Sequence, residues 1–133
     1  MNNSIILMSK VDYQRINSFI ERMKPIESDQ LEIELDRAQL VEASEMPADV
    51  VTMNSELVYL DLELLSEHKV RLVYTLRADL GLDQVSILSP LGTALIGLRK
   101  GEDYSFTTRN GKHRGIRVLD ITFQPEAEER FDL

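Results

Sequence analysis

The clearest pattern of apolar and polar positions in the chain lies between residues 85 and 101. Residues 85–88 form a short and mostly apolar segment that contains two β-branched residues, Val85 and Ile87, and this predicts a strand. Ser89 and Pro90 follow with the residue types preferred at a helix N-cap and first helical position. Leucine and alanine then recur at spacings of three and four, which predicts one apolar helical stripe made of Leu91, Ala94, Leu95 and Leu98. Gly97 and Gly101 can adopt the left-handed conformations that end such a helix. A short apolar helix entered directly from a strand needs a sheet to bury it.

The first third of the chain predicts a strand and then a helix. The apolar residues 5–7 favour an N-terminal strand. Ser9 and Asp12 have the spacing of an N-cap with an acidic residue in the first turn. The apolar face expected for this helix consists of Tyr13, Ile16, Ile20 and Met23. Pro25 ends the helix, because the residue before a proline is disfavoured in helical conformation.

Asp29 is predicted to cap a second helix, with Glu32 three residues further on. Its stripe is expected to contain Leu31, Leu35 and Ala38, with Ile33 and Leu40 on a second side. Two helices joined by so short a loop are expected to lie antiparallel. Each arm of this hairpin would have about 14 residues and therefore be about 20 Å long.

The remainder of the chain is predicted to be rich in strands. Strands are expected at residues 50–53, 56–62, 70–76, 85–88, 104–108 and 116–123, and loops at 67–69 and 79–83. Asn110-Gly111 indicates a tight hairpin turn, because both central residues of a type I′ turn have positive φ. The acidic segment that follows Pro125 is expected to be frayed. The pattern predicts an α+β fold, with an antiparallel-dominated sheet around one helix. We expect a helical unit at residues 1–45 and a sheet domain at residues 46–133.

Composition narrows the possible functions. The chain has 133 residues, of which 43% are hydrophobic and 29% charged, and this is enough for one core. Cysteine is absent, which excludes disulfides and thiolate chemistry and fits a reducing cytoplasm. The formal net charge of −8 disfavours direct binding to nucleic acid. No apolar run approaches the roughly 18–20 residues needed to span a bilayer.

Positive charge is concentrated in one segment of this acidic chain. Residues 99–117 contain six basic and two acidic side chains. The basic residues are Arg99, Lys100, Arg109, Lys112, Arg114 and Arg117. They could protect the edge of a sheet from pairing with another chain. Alternatively, they could contact an acidic surface on a partner protein.

Known catalytic motifs are absent from the sequence. It contains no phosphate-binding lysine loop, dinucleotide fingerprint or nucleophile elbow. His68 and His113 lack a spaced carboxylate partner and are expected on solvent-exposed loops. Glu27, Asp29 and Glu32 surround the predicted hairpin tip and could in principle hold Mg²⁺. Acidic residues at a helix N-terminus are also explained by the helix dipole, which we favour here. We therefore expect no catalytic residue, metal or cofactor.

Several sequence blocks resemble a known family. Residues 87–97, followed by Lys100-Gly101 and Asn110-Gly111, are similar to the C-terminal domain of the Gre transcript-cleavage factors. Residues 34–39, 46–55 and 124–127 look like the Rnk family, the regulators of nucleoside diphosphate kinase, within the Gre superfamily. This resemblance covers nearly the whole chain.

The resemblance implies an FKBP-like C-terminal domain that carries a short N-terminal coiled-coil hairpin. It also implies binding to RNA polymerase, at the rim of the secondary channel on the largest subunit. The residues expected to bind polymerase are Ser86, Ser89, Pro90, Arg99 and Lys100. The hairpin predicted here is shorter than that of Gre factors, and their acidic tip motif is not reproduced, although Glu27 and Asp29 lie roughly where a tip would be. Prolyl isomerase activity is not expected, because the chain has no tryptophan to form the floor of a proline pocket.

These expectations combine into a non-enzymatic, cytoplasmic and monomeric transcription regulator. It would dock at the secondary channel without stimulating cleavage, and it would compete with Gre factors. One alternative is a cleavage factor in which Glu27 and Asp29 reach a metal at the polymerase active centre. Another is a protein-binding regulator of nucleotide metabolism.

Overall fold

The computed structural model describes residues 6–24, 28–75, 83–108 and 110–130. Its helices and strands form a mixed α/β fold. In chain order the elements are β1 (Ile6–Ser9), α1 (Lys10–Met23), α2 (Asp29–Arg37), β2 (Ala38–Val41), a 3₁₀ turn (Ala43–Glu45), β3 (Glu56–Asp61), β4 (Ser66–Val73), β5 (Gln84–Ser86), α3 (Pro90–Leu95), β6 (Asp103–Thr107) and β7 (His113–Phe123).

The N-terminal strand and the start of the first helix are confirmed. Strand β1 pairs in parallel with β2, from Ile6 opposite Ala38 to Ser9 opposite Val41. Ser9 then caps α1, because its hydroxyl accepts a hydrogen bond of 2.9 Å from the backbone N–H of Asp12. The two strands therefore tie the beginning and the end of the helical segment together at its base.

The helices differ from the prediction in length and in their buried faces. Helix α1 has 14 residues, as expected, but α2 has only nine. The prediction that Asp29 caps α2 is wrong, because the carbonyl of Ser28 accepts the first helical hydrogen bond, from Glu32, and Asp29 is the first helical residue. Leu40, expected on α2, lies in β2, where pairing with β1 satisfies the backbone groups that a longer helix would have used. Met23 is 40% exposed, whereas Phe19 is 4% exposed. Both helices contribute to the core that also lies beneath the sheet, through Ile16, Phe19, Leu31 and Leu35.

The main sheet has five strands in the order β5-β4-β3-β7-β6. The pairs β3–β4, β3–β7 and β6–β7 are antiparallel, and β4–β5 is parallel, so the antiparallel-dominated sheet is confirmed. A turn joins β6 to β7 as predicted, and Gly111 has a φ of 86°. It is not a type I′ turn centred on Asn110-Gly111, because the N–H of Gly111 donates to the carbonyl of Thr108 at 3.0 Å, which makes Gly111 the fourth residue of the turn. The core therefore lies on one face of this sheet and is closed by α1, α2 and α3.

Two predictions of local structure in this region are wrong. Residues 67–69, expected in a loop, belong to β4 and pair with β3, with His68 opposite Tyr59. Their polar side chains remain exposed to water, because β5 lies beside only the later part of β4, from Arg71 onwards. Residues 50–53, expected as a strand, contribute a single bridge between Val50 and Arg99. The predicted loop at residues 79–83 falls largely outside the described residues.

Helix α3 is shorter than its apolar stripe suggests, because Leu98 lies beyond its end. Gly97 and Gly101 have φ values of 78° and 89°, as predicted. A Cβ at Gly97 would lie 2.0 Å from Cγ2 of Ile6. Glycine is therefore required there for conformation and also for the close packing of β1 against the end of α3.

The segment after β7 is anchored rather than frayed. The side-chain amide of Gln124 is buried and donates hydrogen bonds to the carbonyl oxygens of Pro47, at 2.7 Å, and Val50, at 2.8 Å. The backbone N–H of Arg130 donates to the carbonyl of Pro125 at 2.7 Å. These bonds close a turn over residues 124–130, so the prediction of a frayed tail is wrong for this segment.

Candidate functional site

The predicted docking residues Ser86 and Ser89 point their hydroxyl groups into the protein. The hydroxyl of Ser86 donates to the carbonyl of Thr75 at 2.5 Å and accepts from the N–H of Leu88 at 3.0 Å. The hydroxyl of Ser89 donates to the carbonyl of Ser86 at 2.7 Å and accepts from the N–H of Gly92 at 3.0 Å. These bonds fix the path of the chain from β5 into α3 and leave both hydroxyls engaged.

Gly92 allows α3 to lie directly against the end of β5. A Cβ at this position would stand 1.9 Å from the carbonyl oxygen of Ser86 and 3.0 Å from the Cα of Ile87. Both neighbours are backbone atoms, which cannot rotate away as a side chain could. The Ser-Pro-Leu-Gly sequence therefore produces a tight and rigid corner.

The outward side of this corner is apolar. Leu88, Pro90 and Leu91 are each partly exposed, and Phe106 of β6 lies beside them. Two grooves meet there, and Pro90 and Phe106 line both. The smaller groove, of about 300 Å³, is completed by Tyr59, Ser89, Leu91, Thr108, Arg114 and Ile116. We call the corner together with its two grooves the Pro90 surface.

The larger groove, of about 780 Å³, brings part of the predicted hairpin tip to the same place. Asp29 lines this groove together with Leu88 and Pro90. Glu32 is used locally, because its carboxylate accepts a 2.8 Å hydrogen bond from the hydroxyl of Ser28. Glu27 lies outside the described residues. The start of α2 therefore lies beside α3 and β6.

Arg99 and Lys100 lie outside these two grooves. The backbone N–H of Arg99 donates to the carboxylate of Glu102 at 2.9 Å. The amino group of Lys100 is 3.4 Å from the carboxylate of Asp120 on β7. The five predicted docking residues therefore do not form one cluster.

Much of the expected basic surface is neutralised within the protein. Arg117 forms two hydrogen bonds with Asp103, at 2.6 and 3.0 Å, and these bonds hold the pKa of Asp103 below its usual value. Arg114 pairs with the buried carboxylate of Asp61. The charges of segment 99–117 therefore serve largely to hold neighbouring strands together.

Two buried carboxylates were not expected from the sequence. Glu34 is 1% exposed, and its Oε1 accepts from the hydroxyl of Tyr104 at 3.1 Å and from the amide of Gln30 at 3.2 Å. Burial, together with the nearby Glu34, raises the pKa of Tyr104 to about 12. The sequence did contain one sign of this burial, because Glu34 lies three residues after Leu31 and therefore on the same helical face.

Asp12 is the second buried carboxylate, at 2% exposed. Its Oδ2 accepts from the N–H of Met53 at 3.1 Å, which ties α1 to the loop before β3. Burial raises the pKa of Asp12 to about 7, and the nearby carboxylate of Glu126 adds to the rise. Glu126 also accepts a 2.8 Å hydrogen bond from the hydroxyl of Thr52. The Asp12 side chain therefore packs where α1, the loop before β3 and the C-terminal turn converge.

The two histidines lie on strands rather than on the expected loops. His68, on β4, stacks on the ring of Tyr59 with 5.1 Å between ring centroids. His113 begins β7, and its Nδ1 is 3.3 Å from the hydroxyl of Thr107. Across the described ranges, no three histidine or acidic side chains are grouped as metal ligands would be. None of the described helices is both long and apolar enough to cross a bilayer.

Comparison with known proteins identifies the relatives of this chain. The family described as transcription elongation factor GreA/GreB, C-terminal, matches residues 46–123. The regulator of nucleoside diphosphate kinase of Escherichia coli strain K12 is 37% identical over 134 aligned residues, which cover 96% of each chain. The transcription elongation factor GreA of Clostridium beijerinckii is 33% identical over 93 residues, or 70% of this chain and 58% of that protein.

A solved structure supports the same relationship. The transcription elongation factor GreA/GreB from Nitrosomonas europaea superposes with a TM-score of 0.72 at 32% identity. The superposition covers 91% of this chain and all of that one. The Ser-Pro corner, residues 86–92, lies within residues 46–123, which the family matches. The chain therefore belongs to the GreA/GreB family and, within it, to the group of the regulator of nucleoside diphosphate kinase.

Proposed function

We propose that this protein is a regulator of transcription that binds RNA polymerase at the rim of the secondary channel. In this proposal it does not stimulate transcript cleavage, and it competes with Gre factors for the channel. The sheet domain, residues 46–133, is taken as FKBP-like and as the docking domain. The helical unit, residues 1–45, is taken as a short hairpin that covers the channel entrance. Such a regulator would act in the cytoplasm as a monomer.

The observation that carries the proposal is the rigid apolar corner within the Gre-family region. Leu88, Pro90 and Leu91 are partly exposed, while the hydroxyls of Ser86 and Ser89 form hydrogen bonds within the protein. A preformed apolar surface loses little conformational freedom on binding, and this favours a docking role. Pro90 is central to it because it borders both grooves.

The absence of cleavage activity is supported by the size and placement of the helices. Helix α1 has 14 residues and is about 21 Å long, and α2 has nine residues and is about 14 Å long. Asp29 lies against the sheet domain, in the larger groove beside Pro90. An acidic residue in this position is poorly placed to reach into a deep channel.

The test is binding of the purified protein to core RNA polymerase, with a Gre factor as competitor. Pro90→Arg places a long charged side chain at the junction of the two grooves and should abolish binding. Ile33→Arg is the matched control, because Ile33 is 50% exposed on α2 and lies outside both grooves. Failure of the wild-type protein to bind, or equal loss with both variants, would contradict the proposal.

The cleavage-factor alternative is tested on a backtracked polymerase complex. The proposal predicts no stimulation of transcript cleavage by the wild-type protein. If cleavage is stimulated and is abolished by Glu27→Ala together with Asp29→Ala, the alternative is correct.

A second candidate function comes from the name of the Escherichia coli relative, which is a regulator of nucleoside diphosphate kinase. In this case the protein would bind that kinase and alter nucleotide metabolism. Titration of purified nucleoside diphosphate kinase against the protein distinguishes the two candidates. Binding that survives Pro90→Arg would place the kinase contact on a different surface.

A further inference from the structure

The turn between β3 and β4 exposes two adjacent leucines. Leu64 is 70% and Leu65 is 74% exposed, more than any other large apolar side chain of the described residues. The strands on either side turn their apolar residues inward, with Leu57 fully buried and Val70 4% exposed. The two leucines therefore interrupt an otherwise regular pattern of burial.

Hydrogen bonds to one residue hold this turn in place. The carboxylate of Asp61 accepts from the N–H groups of Glu63, at 2.9 Å, and Leu64, at 3.0 Å. Its backbone carbonyl accepts from the N–H of Leu65 at 2.8 Å. The second carboxylate oxygen of Asp61 pairs with Arg114. The leucines are thus presented on a fixed support rather than on a flexible loop.

The backbone conformation of Leu65 also disfavours leucine. Its φ is 54°, in the left-handed region, where glycine, asparagine and aspartate are the common residues of a hairpin turn. A branched apolar residue is opposed there by sterics and also by its exposure to water. Strained residues of this kind are concentrated at functional sites.

The turn is continuous with the Pro90 surface. Arg114, which pairs with Asp61 beneath the turn, also lines the smaller groove together with Tyr59 and Pro90. Glu63, which is exposed and directly precedes the two leucines, lies near Arg114. The extended surface is therefore apolar at its centre and acidic at this end.

We propose that Leu64 and Leu65 form a second anchor of the polymerase-docking surface. They would insert into an apolar recess on the polymerase whose border carries a basic side chain facing Glu63. Two separated anchors on one rigid face would fix the orientation of the protein as well as its affinity. This inference rests on the proposed function, because it assumes the same partner.

The experiment measures the affinity of core RNA polymerase for four proteins. These are the wild type, Leu64→Ser with Leu65→Asn, Leu65→Asn alone, and the control Ile33→Ser. Each removed leucine should weaken binding about tenfold, as expected for loss of one buried apolar side chain. Ile33→Ser should bind like the wild type. Leu65→Asn should also raise the midpoint of thermal unfolding by roughly 3–5 °C, because asparagine tolerates positive φ.

A variant that is more stable and yet binds more weakly would be the signature of a residue kept for docking. Unchanged polymerase affinity for the double variant, while Pro90→Arg abolishes binding, would overturn this inference and leave the proposed function intact. A lower midpoint for Leu65→Asn would overturn it too, because the leucine would then serve the fold. Sedimentation of the wild type and the double variant tests a second copy as the occupant. Self-association lost in the double variant, with unchanged polymerase affinity, would overturn the inference.

Discussion

The buried carboxylate of Asp12 makes the stability of the protein depend on pH near neutrality. Burial raises its pKa from 3.8 to about 7 in the folded state. The folded protein therefore binds the proton more tightly than the unfolded chain. The resulting stabilisation is fully present below pH 3.8 and is lost as the pH rises through about 7. For these two pKa values, the loss between pH 5 and pH 8 is roughly 2.5 kcal/mol.

The substitution Asp12→Asn isolates this effect. Asparagine keeps an oxygen that can accept the 3.1 Å hydrogen bond from the N–H of Met53, but it carries no charge. Relative to the wild type, the variant should therefore gain about 2.5 kcal/mol of stability on going from pH 5 to pH 8. Asp12 carries its charge in the folded state only above about pH 7, so any favourable interaction of that charge with the start of α1 is already contained in its folded-state pKa.

Urea unfolding at a series of pH values measures this difference. Far-ultraviolet circular dichroism is a suitable signal, because the chain has no tryptophan. Asp61 and Asp103 have lowered pKa values, so their contributions are lost only as the pH falls below the usual carboxyl range. Glu126→Gln should reduce the slope without abolishing it, because burial is the larger cause of the shift. A stability difference between Asp12→Asn and the wild type that stays constant from pH 5 to pH 8 would refute the reasoning.

Three further substitutions test the packing around the site. Gly92→Ala should destabilise the protein by about 2 kcal/mol in urea unfolding, because the clash of the new Cβ with the Ser86 carbonyl oxygen, 1.9 Å away, outweighs the gain in helix propensity. A stabilised variant would contradict this. Gln124→Ala should lower the free energy of unfolding by about 2–3 kcal/mol in the same assay, since it removes the hydrogen bonds to the carbonyls of Pro47 and Val50. A decrease of less than about 0.5 kcal/mol would mean that the C-terminal turn is not an anchor. Tyr104→Phe should cost about 1 kcal/mol in the same assay by removing a donor to buried Glu34, and an unchanged free energy of unfolding would contradict this.

The features that sequence predicted well are those specified by neighbouring residues. Ser9 and Ser89 were placed correctly as N-caps because a cap depends on the hydroxyl and an N–H three residues away. The turn at Asn110-Gly111 followed from the positive φ of its glycine. The family resemblance located the Ser-Pro corner because that motif is also made of neighbouring residues.

The features that sequence missed depend on distant parts of the chain. Residues 67–69 form a strand because β3 pairs with them, and their own polarity gives no sign of it. The loop containing Val51 is held by bonds of 2.9 Å to Leu98 and from Gly97, which only the folded protein brings together. The burial of the Asp12 and Glu34 carboxylates was not predicted, because charged residues usually lie at the surface. The docking residues were predicted from a contiguous motif, whereas the grooves that Pro90 borders require α2 and β6 as well.

The bonds made by Gln124 have a consequence for biosynthesis. Its amide holds the loop at Pro47 and Val50, which is more than 70 positions earlier in the chain. The central strand β3 likewise lies between β4 and β7, and β7 is the last strand to be made. Contacts of such long sequence separation form late, because the intervening chain must close first. The sheet domain can therefore complete its folding only after residues 113–124 have left the ribosome. During translation, its half-finished sheet would expose the unpaired edge of β3 to other nascent chains and to chaperones.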